Sequence, residues 1–144
     1  MKNFLIAVGI TLTIYLIWNY IENYKQVSEV IDGDTFRIGV QSIRLIGINA
    51  PEIGETCSLE AKEKLEEIII GKEIKLEKDV TEKDEYGRLL RYVYVDNLFV
   101  NAEMIRLGLA RVEEIKPNVK YSELFLEEEN KARKASRCIW EKIN

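Results

Sequence analysis

The chain has 144 residues, of which 47% are hydrophobic and 32% charged, and it contains no histidine. That balance excludes a disordered chain and bounds it to one globular domain with a short appendage. Its net charge of −4 excludes a long electrostatic groove for nucleic acid, so any phosphate contact has to be local, in a small arginine-lined pocket.

Residues 4–18 carry no charge. A bilayer-spanning helix needs roughly 20 mostly apolar residues, so 4–21 is just long enough. A cleaved signal peptide ends on small residues, whereas this run ends on Trp18-Asn19-Tyr20-Ile21. An uncleaved anchor is therefore the first expectation, a cleaved signal the second and a buried soluble helix the third. Trp18 and Tyr20 sit where interfacial aromatics belong, and Lys2 favours a cytoplasmic N-terminus, against which Lys25 counts. The division is residues 1–22 as anchor or signal and 23–144 as the folded domain.

Residues 27–31 read as a strand, Asp32-Gly33-Asp34 as a turn, and 35–40 as a second, β-branched strand. Gln41-Ser42 turns the chain into a third strand over 43–48, and Pro51 ends regular structure. Ser58 is placed to cap a helix running to about residue 70, with Ala61, Leu65, Ile68 and Ile69 as its buried stripe and Gly71 as its stop. Strands follow at 73–80 and 88–95, then a short helix over 101–107 stopped by Gly108. The last helix is expected over 122–137, with Leu124, Ala132 and Ala135 facing inward. Three strands, a helix, two strands and two helices make an α+β chain. That order predicts a five-stranded Greek-key barrel of OB type with about three helices. Cys57 and Cys138 precede and follow helices. In an exported domain they can bond, closing a loop of roughly 80 residues for about 4 kcal/mol; two buried free thiols are the alternative.

Charged residues recur in three places: Asp32-Gly33-Asp34-Thr35, the run from Arg44 to Glu52, and Asp84-Glu85-Tyr86-Gly87-Arg88. Each alone has an ordinary reading, as a hairpin turn, a solvent-facing strand residue or a turn with a surface arginine. Together they supply carboxylates and two arginines, the equipment for cutting a phosphodiester with a metal and no histidine. Guanidiniums bind phosphate oxygens bidentately and would neutralise the charge that develops as water attacks. A carboxylate can activate or orient that water, and another can anchor a hard cation through oxygen. Glu127-Glu128-Glu129 reads as a solvated helix face, and Tyr121 and Trp140 as packing residues.

Val30-Ile31-Asp32-Gly33-Asp34-Thr35, Arg44-Leu45 with Ala50-Pro51-Glu52, Tyr86-Gly87-Arg88, and Leu107-Gly108-Leu109-Ala110 follow one another in register. With these four segments the chain resembles the staphylococcal nuclease-like (thermonuclease) family over about residues 27–140. The resemblance implies an OB fold and calcium-dependent hydrolysis of DNA and RNA, single strands preferred, by a monomer. It implies Arg44, Glu52 and Arg88 as catalytic residues, and Asp34, Asn49 and the Ala50 carbonyl as Ca2+ ligands. With the apolar run it implies a single-pass membrane protein whose nuclease domain lies outside the cytoplasm, or a secreted one. Two departures stand out. Asn49 replaces the family's aspartate, removing a negative charge from the metal site. Glu113 and Ile115 stand near where the staphylococcal enzyme has tyrosines, and Glu85 where it has a basic residue. Asn49 and the acidic surface favour the rival expectation, a catalytically lapsed OB domain that binds nucleic acid or protein; a small-ligand OB domain is a third.

Overall fold

The β-branched and aromatic residues on either side of Gly39-Val40 build the first hairpin. Strand β2 (Thr35–Ile38) pairs antiparallel with β3 (Gln41–Leu45), with Phe36 opposite Ile43 and both fully buried. The turn lies at Gly39-Val40, two residues before the expected Gln41-Ser42. Gly39 takes the positive φ of 57° that a tight hairpin turn requires, and Val40 projects wholly into solvent. The structure, a computed structural model, describes residues 9–17 and 26–141.

The remaining strands are β1 (Glu29–Val30), β4 (Ile48–Asn49), β5 (Ile74–Glu77), β6 (Leu89–Val95), β7 (Leu98–Phe99) and β8 (Arg111–Val112). One sheet runs β1-β2-β3-β6-β5, with β7 added to β6; β4 and β8 form a separate antiparallel pair. The join between β3 and β6 is parallel, with Arg44 opposite Leu90, and the other joins are antiparallel. This is the expected α+β class, a curled sheet that fits an OB-like fold. The five long-range strands are those expected, but most are shorter. The expected third strand breaks at Ile46-Gly47, where Gly47 takes a φ of 79° and a Cβ would lie 2.5 Å from the Phe125 ring. The chain resumes as β4, so the two-stranded β4–β8 unit is a correction to the five-strand reading.

Helix α1 (Ser58–Ile69) buries Ala61, Leu65 and Ile69 against the sheet, the stripe expected, with Ile68 at its edge. Ser58 does not cap it. Cys57 occupies the cap in a left-handed conformation, and the Ser58 hydroxyl instead accepts the Gly54 N–H at 3.3 Å. Helix α2 (Val100–Arg106) buries Asn101, Met104 and Ile105. Helix α3 (Ser122–Lys134) turns Phe125, Glu129 and Ala132 inward. Leu124 and Ala135, expected inside, are exposed, because the helix ends at Lys134 and presents the Phe125 face to the aromatic cluster of Tyr92, Phe99 and Tyr121. Cys57 and Cys138 are bonded, 81 residues apart in sequence. The bond ties the start of α1 to the 3-10 turn Cys138–Trp140.

Residues 9–17 are helical, and Ile10, Leu12, Ile14, Leu16 and Ile17 are each more than half exposed. The rest of the expected anchor, and the boundary at residue 22, lie outside the described residues. Among the described residues no helix is long and apolar enough to cross a membrane.

Candidate active site

The turn before β2 carries the first site residue. Asp34 is buried because Gly33 lets the turn press against α1: a Cβ at Gly33 would come within 2.6 Å of the Cβ atoms of Ala50 and Ala61. Its Oδ2 accepts the Ala50 N–H at 2.7 Å and its Oδ1 the Thr35 hydroxyl at 2.9 Å. Burial pushes the carboxyl up to about pKa 6, against the lowering charge of Arg44 and with a further rise from Asp32.

Arg44 comes from β3, in the register that also sets Thr35 and Leu90 beside it. Its side chain is only 11% exposed. Nη1 donates to the carbonyls of Leu45 and Ile48 at 3.1 and 2.8 Å, and lies 3.1 Å from Asp34 Oδ1. Nη2 donates to Asn49 Oδ1 at 3.2 Å and to Glu113 Oε2 at 3.4 Å. The guanidinium thus lies against the oxygens of the two side chains expected to bind metal.

Asn49 and Ala50 reach the site through the β4–β8 pair, in which Asn49 faces Arg111. The turn before β4 is held by Asn101. Its amide accepts the Val93 N–H and donates to the Ile46 carbonyl, both at 2.9 Å. Glu113 follows β8, and its N–H bonds the Gly47 carbonyl at 3.0 Å.

Glu52 and Arg88 lie on the rim. Glu52 is exposed in the loop before α1, where its N–H donates to Glu55 Oε2 at 2.8 Å. Arg88 closes a turn built around Asp84, which accepts the N–H groups of Tyr86 and Arg88 and, at 2.6 Å, the Arg88 Nε. Burial raises the Asp84 carboxyl, but the hydrogen bonds and charge of Arg88 outweigh that and hold it below its ordinary value. The Arg88 guanidinium lies 5.4 Å from the Tyr86 ring. Neither Nη of Arg88 has a hydrogen-bond partner among the described residues.

All six residues expected in the site, Asp34, Arg44, Asn49, Ala50, Glu52 and Arg88, line one pocket of about 440 Å³. Asp32 and Glu113 line it too. A second cavity of about 350 Å³ adjoins it, sharing Arg44, Tyr86, Arg88 and Glu113, and its wall includes the departing residues Glu85 and Ile115. Two arginines therefore border a space beside an oxygen-rich corner, an arrangement suited to a phosphate next to a cation. The residues expected to bind metal there are Asp34 through its carboxylate, Asn49 through its amide oxygen and Ala50 through its carbonyl. These are hard donors without nitrogen or sulfur, and they fit calcium with water completing the shell. Among the described residues no group of three or more His, Cys, Asp or Glu is placed to hold a metal.

Glu129 corrects the reading of Glu127-Glu128-Glu129 as a solvated face. It is buried, pairs with Arg133 at 3.0 Å and accepts the Val112 N–H at 2.9 Å, so it fastens the strand that leads to Glu113. The i,i+4 spacing to Arg133 is the only sequence signal for it. Tyr121 packs as expected. The guanidiniums of Arg133 and Arg111 lie 3.6 and 5.0 Å from the centre of the Trp140 ring.

Residues 42–142 match the family model described as staphylococcal nuclease homologue. The chain is similar to a thermonuclease of Staphylococcus hyicus, with 33% identity over 129 residues, 83% of this chain and 76% of the relative. It is 34% identical to a thermonuclease of Staphylococcus intermedius, over 81% of this chain and 75% of that one. The SPbeta prophage-derived endonuclease YokF of Bacillus subtilis is 33% identical over 81% of this chain, which spans only 43% of that longer protein. By the extent of the family match and by this identity, the chain belongs to the family of staphylococcal nuclease homologues.

Proposed function

We propose that the chain is a calcium-dependent endonuclease that hydrolyses phosphodiester bonds of DNA and RNA. As a member of its family it is a nuclease hydrolase. The observation that carries the finer reading is that Arg44, Glu52 and Arg88 line one pocket with Asp34, Asn49 and Ala50. Arg44 and Arg88 bind the oxygens of the scissile phosphate and neutralise the charge it gains as water attacks. Glu52, exposed on the rim, accepts the proton of that water and orients it toward phosphorus. Asp34, Asn49 and the Ala50 carbonyl would hold the cation. Calcium, when bound there, supplies polarisation of the phosphate and a lowered pKa for water. The small pocket and the acidic surface favour a single-stranded or frayed substrate, because a duplex would need a longer basic footprint.

The disulfide supports a domain outside the cytoplasm. The apolar, exposed helix at 9–17 supports attachment to a membrane through residues 4–21.

A lapsed, binding-only domain is the second reading, favoured by Asn49 and by Arg44 lying against the cation oxygens. The two separate in one assay, cleavage of labelled single-stranded DNA with calcium and with a chelator. Calcium-dependent cleavage lost in Glu52→Ala supports the nuclease. No cleavage by the wild type, but cleavage by Asn49→Asp, means that the arginines persist beside a lapsed metal site. No cleavage by either leaves the binding module.

A further inference from the structure

We propose that Glu113 supplies the second negative charge of the cation site, in place of the carboxylate that Asn49 does not provide. This inference rests on the reading of Asp34, Asn49 and Ala50 as cation ligands. Hard divalent cations are selected by the number and charge of their oxygen ligands. Of those three ligands only Asp34 is charged.

Three side-chain oxygens from three separate parts of the chain converge on one guanidinium. Asp34 Oδ1 lies 3.1 Å from Arg44 Nη1, while Asn49 Oδ1 and Glu113 Oε2 lie 3.2 and 3.4 Å from the same Nη2. Glu113 and Asn49 thus share one nitrogen of a guanidinium that Asp34 also touches, which places Glu113 beside the two side chains read as cation ligands.

Backbone and side chain of Glu113 are held differently, and the difference suits this role. The main chain is fixed by its N–H bond to Gly47 and by the Glu129 bond to Val112. The side chain is 43% exposed, and its contact with Arg44 is the longest that the guanidinium makes. It can turn toward an arriving cation without disturbing the fold.

The test is calcium titration of the full chain in a non-ionic detergent, by calorimetry and without substrate. The variants are Glu113→Gln, Asn49→Asp and the double variant, each checked for fold by circular dichroism. Glu113→Gln is expected to bind calcium about tenfold more weakly, and the added Asn49→Asp to restore wild-type affinity. Equal affinity in wild type and Glu113→Gln overturns the inference while leaving the cation site standing, as does a double variant that recovers nothing. A wild type that binds no calcium overturns the cation-site reading and this inference with it.

Discussion

The inner wall of the pocket and its rim are built on different principles. The wall carries Asp34, Arg44, Asn49 and Ala50 on strands and the turn that joins them, and its charges are buried and paired with each other and with backbone groups. The rim carries Glu52 and Arg88 on loops, exposed or half-buried, each held mainly by contacts within its own loop. A buried group that loses its partner destabilises the whole domain, because desolvation is no longer offset. An exposed group can be removed at little cost to the fold. Loss of cleavage is expected from either region, so stability is what tells them apart.

The largest effect on stability is expected at the tie between the rim loop and the C-terminal turn. Replacing both Cys57 and Cys138 by Ala removes a cross-link spanning 81 residues. It should lower unfolding free energy by about 4 kcal/mol in urea titration. Arg44→Ala comes next. It strips the buried Asp34 of its counter-charge and should cost about 3 kcal/mol as well as cleavage. A stability within 1 kcal/mol of wild type would break the distinction between wall and rim.

The third effect is a pH dependence. Asp34 is raised from an ordinary 3.8 to about 6, so the folded chain binds its proton more tightly than the unfolded one. The stabilisation is full below about pH 4 and is lost as pH rises through about 6, by on the order of 3 kcal/mol. Chemical denaturation of the calcium-free domain across that window measures it, Asp34→Asn should abolish the slope, and calcium at neutral pH should restore stability to the wild type. The smallest effects belong to the rim. Arg88→Ala should cost about 1 kcal/mol, since it loses a partly exposed pair with Asp84. Glu52→Ala should stay within about 0.5 kcal/mol of wild type. Both should lower cleavage by at least about 10²-fold in the single-stranded DNA assay.

Much of this division was legible in the chain itself. Alternation and turn residues located the five principal strands, and helical spacing located Ala61, Leu65 and Ile69, because a local period reports which face is buried. Gly39 and Gly47 moved the ends of strands away from where propensity put them, since a positive φ is decided by the turn the whole hairpin must make. Leu124 and Ala135 were misplaced because the packing partner of α3, the ring cluster around Tyr92, comes from distant strands.

The sequence by itself determined the family, the fold class and the six residues gathered in the pocket, since each lies in a short segment whose pattern is local. Only the tertiary structure decided how those residues are held. The parallel register of β3 with β6 brings Arg44 beside Leu90, and the β4–β8 pair brings Glu113 to Arg44 across 69 residues of chain. Which of the possible ion pairs forms depends on strand register and on burial. Both are properties of the assembled sheet, and no local stretch of residues encodes them.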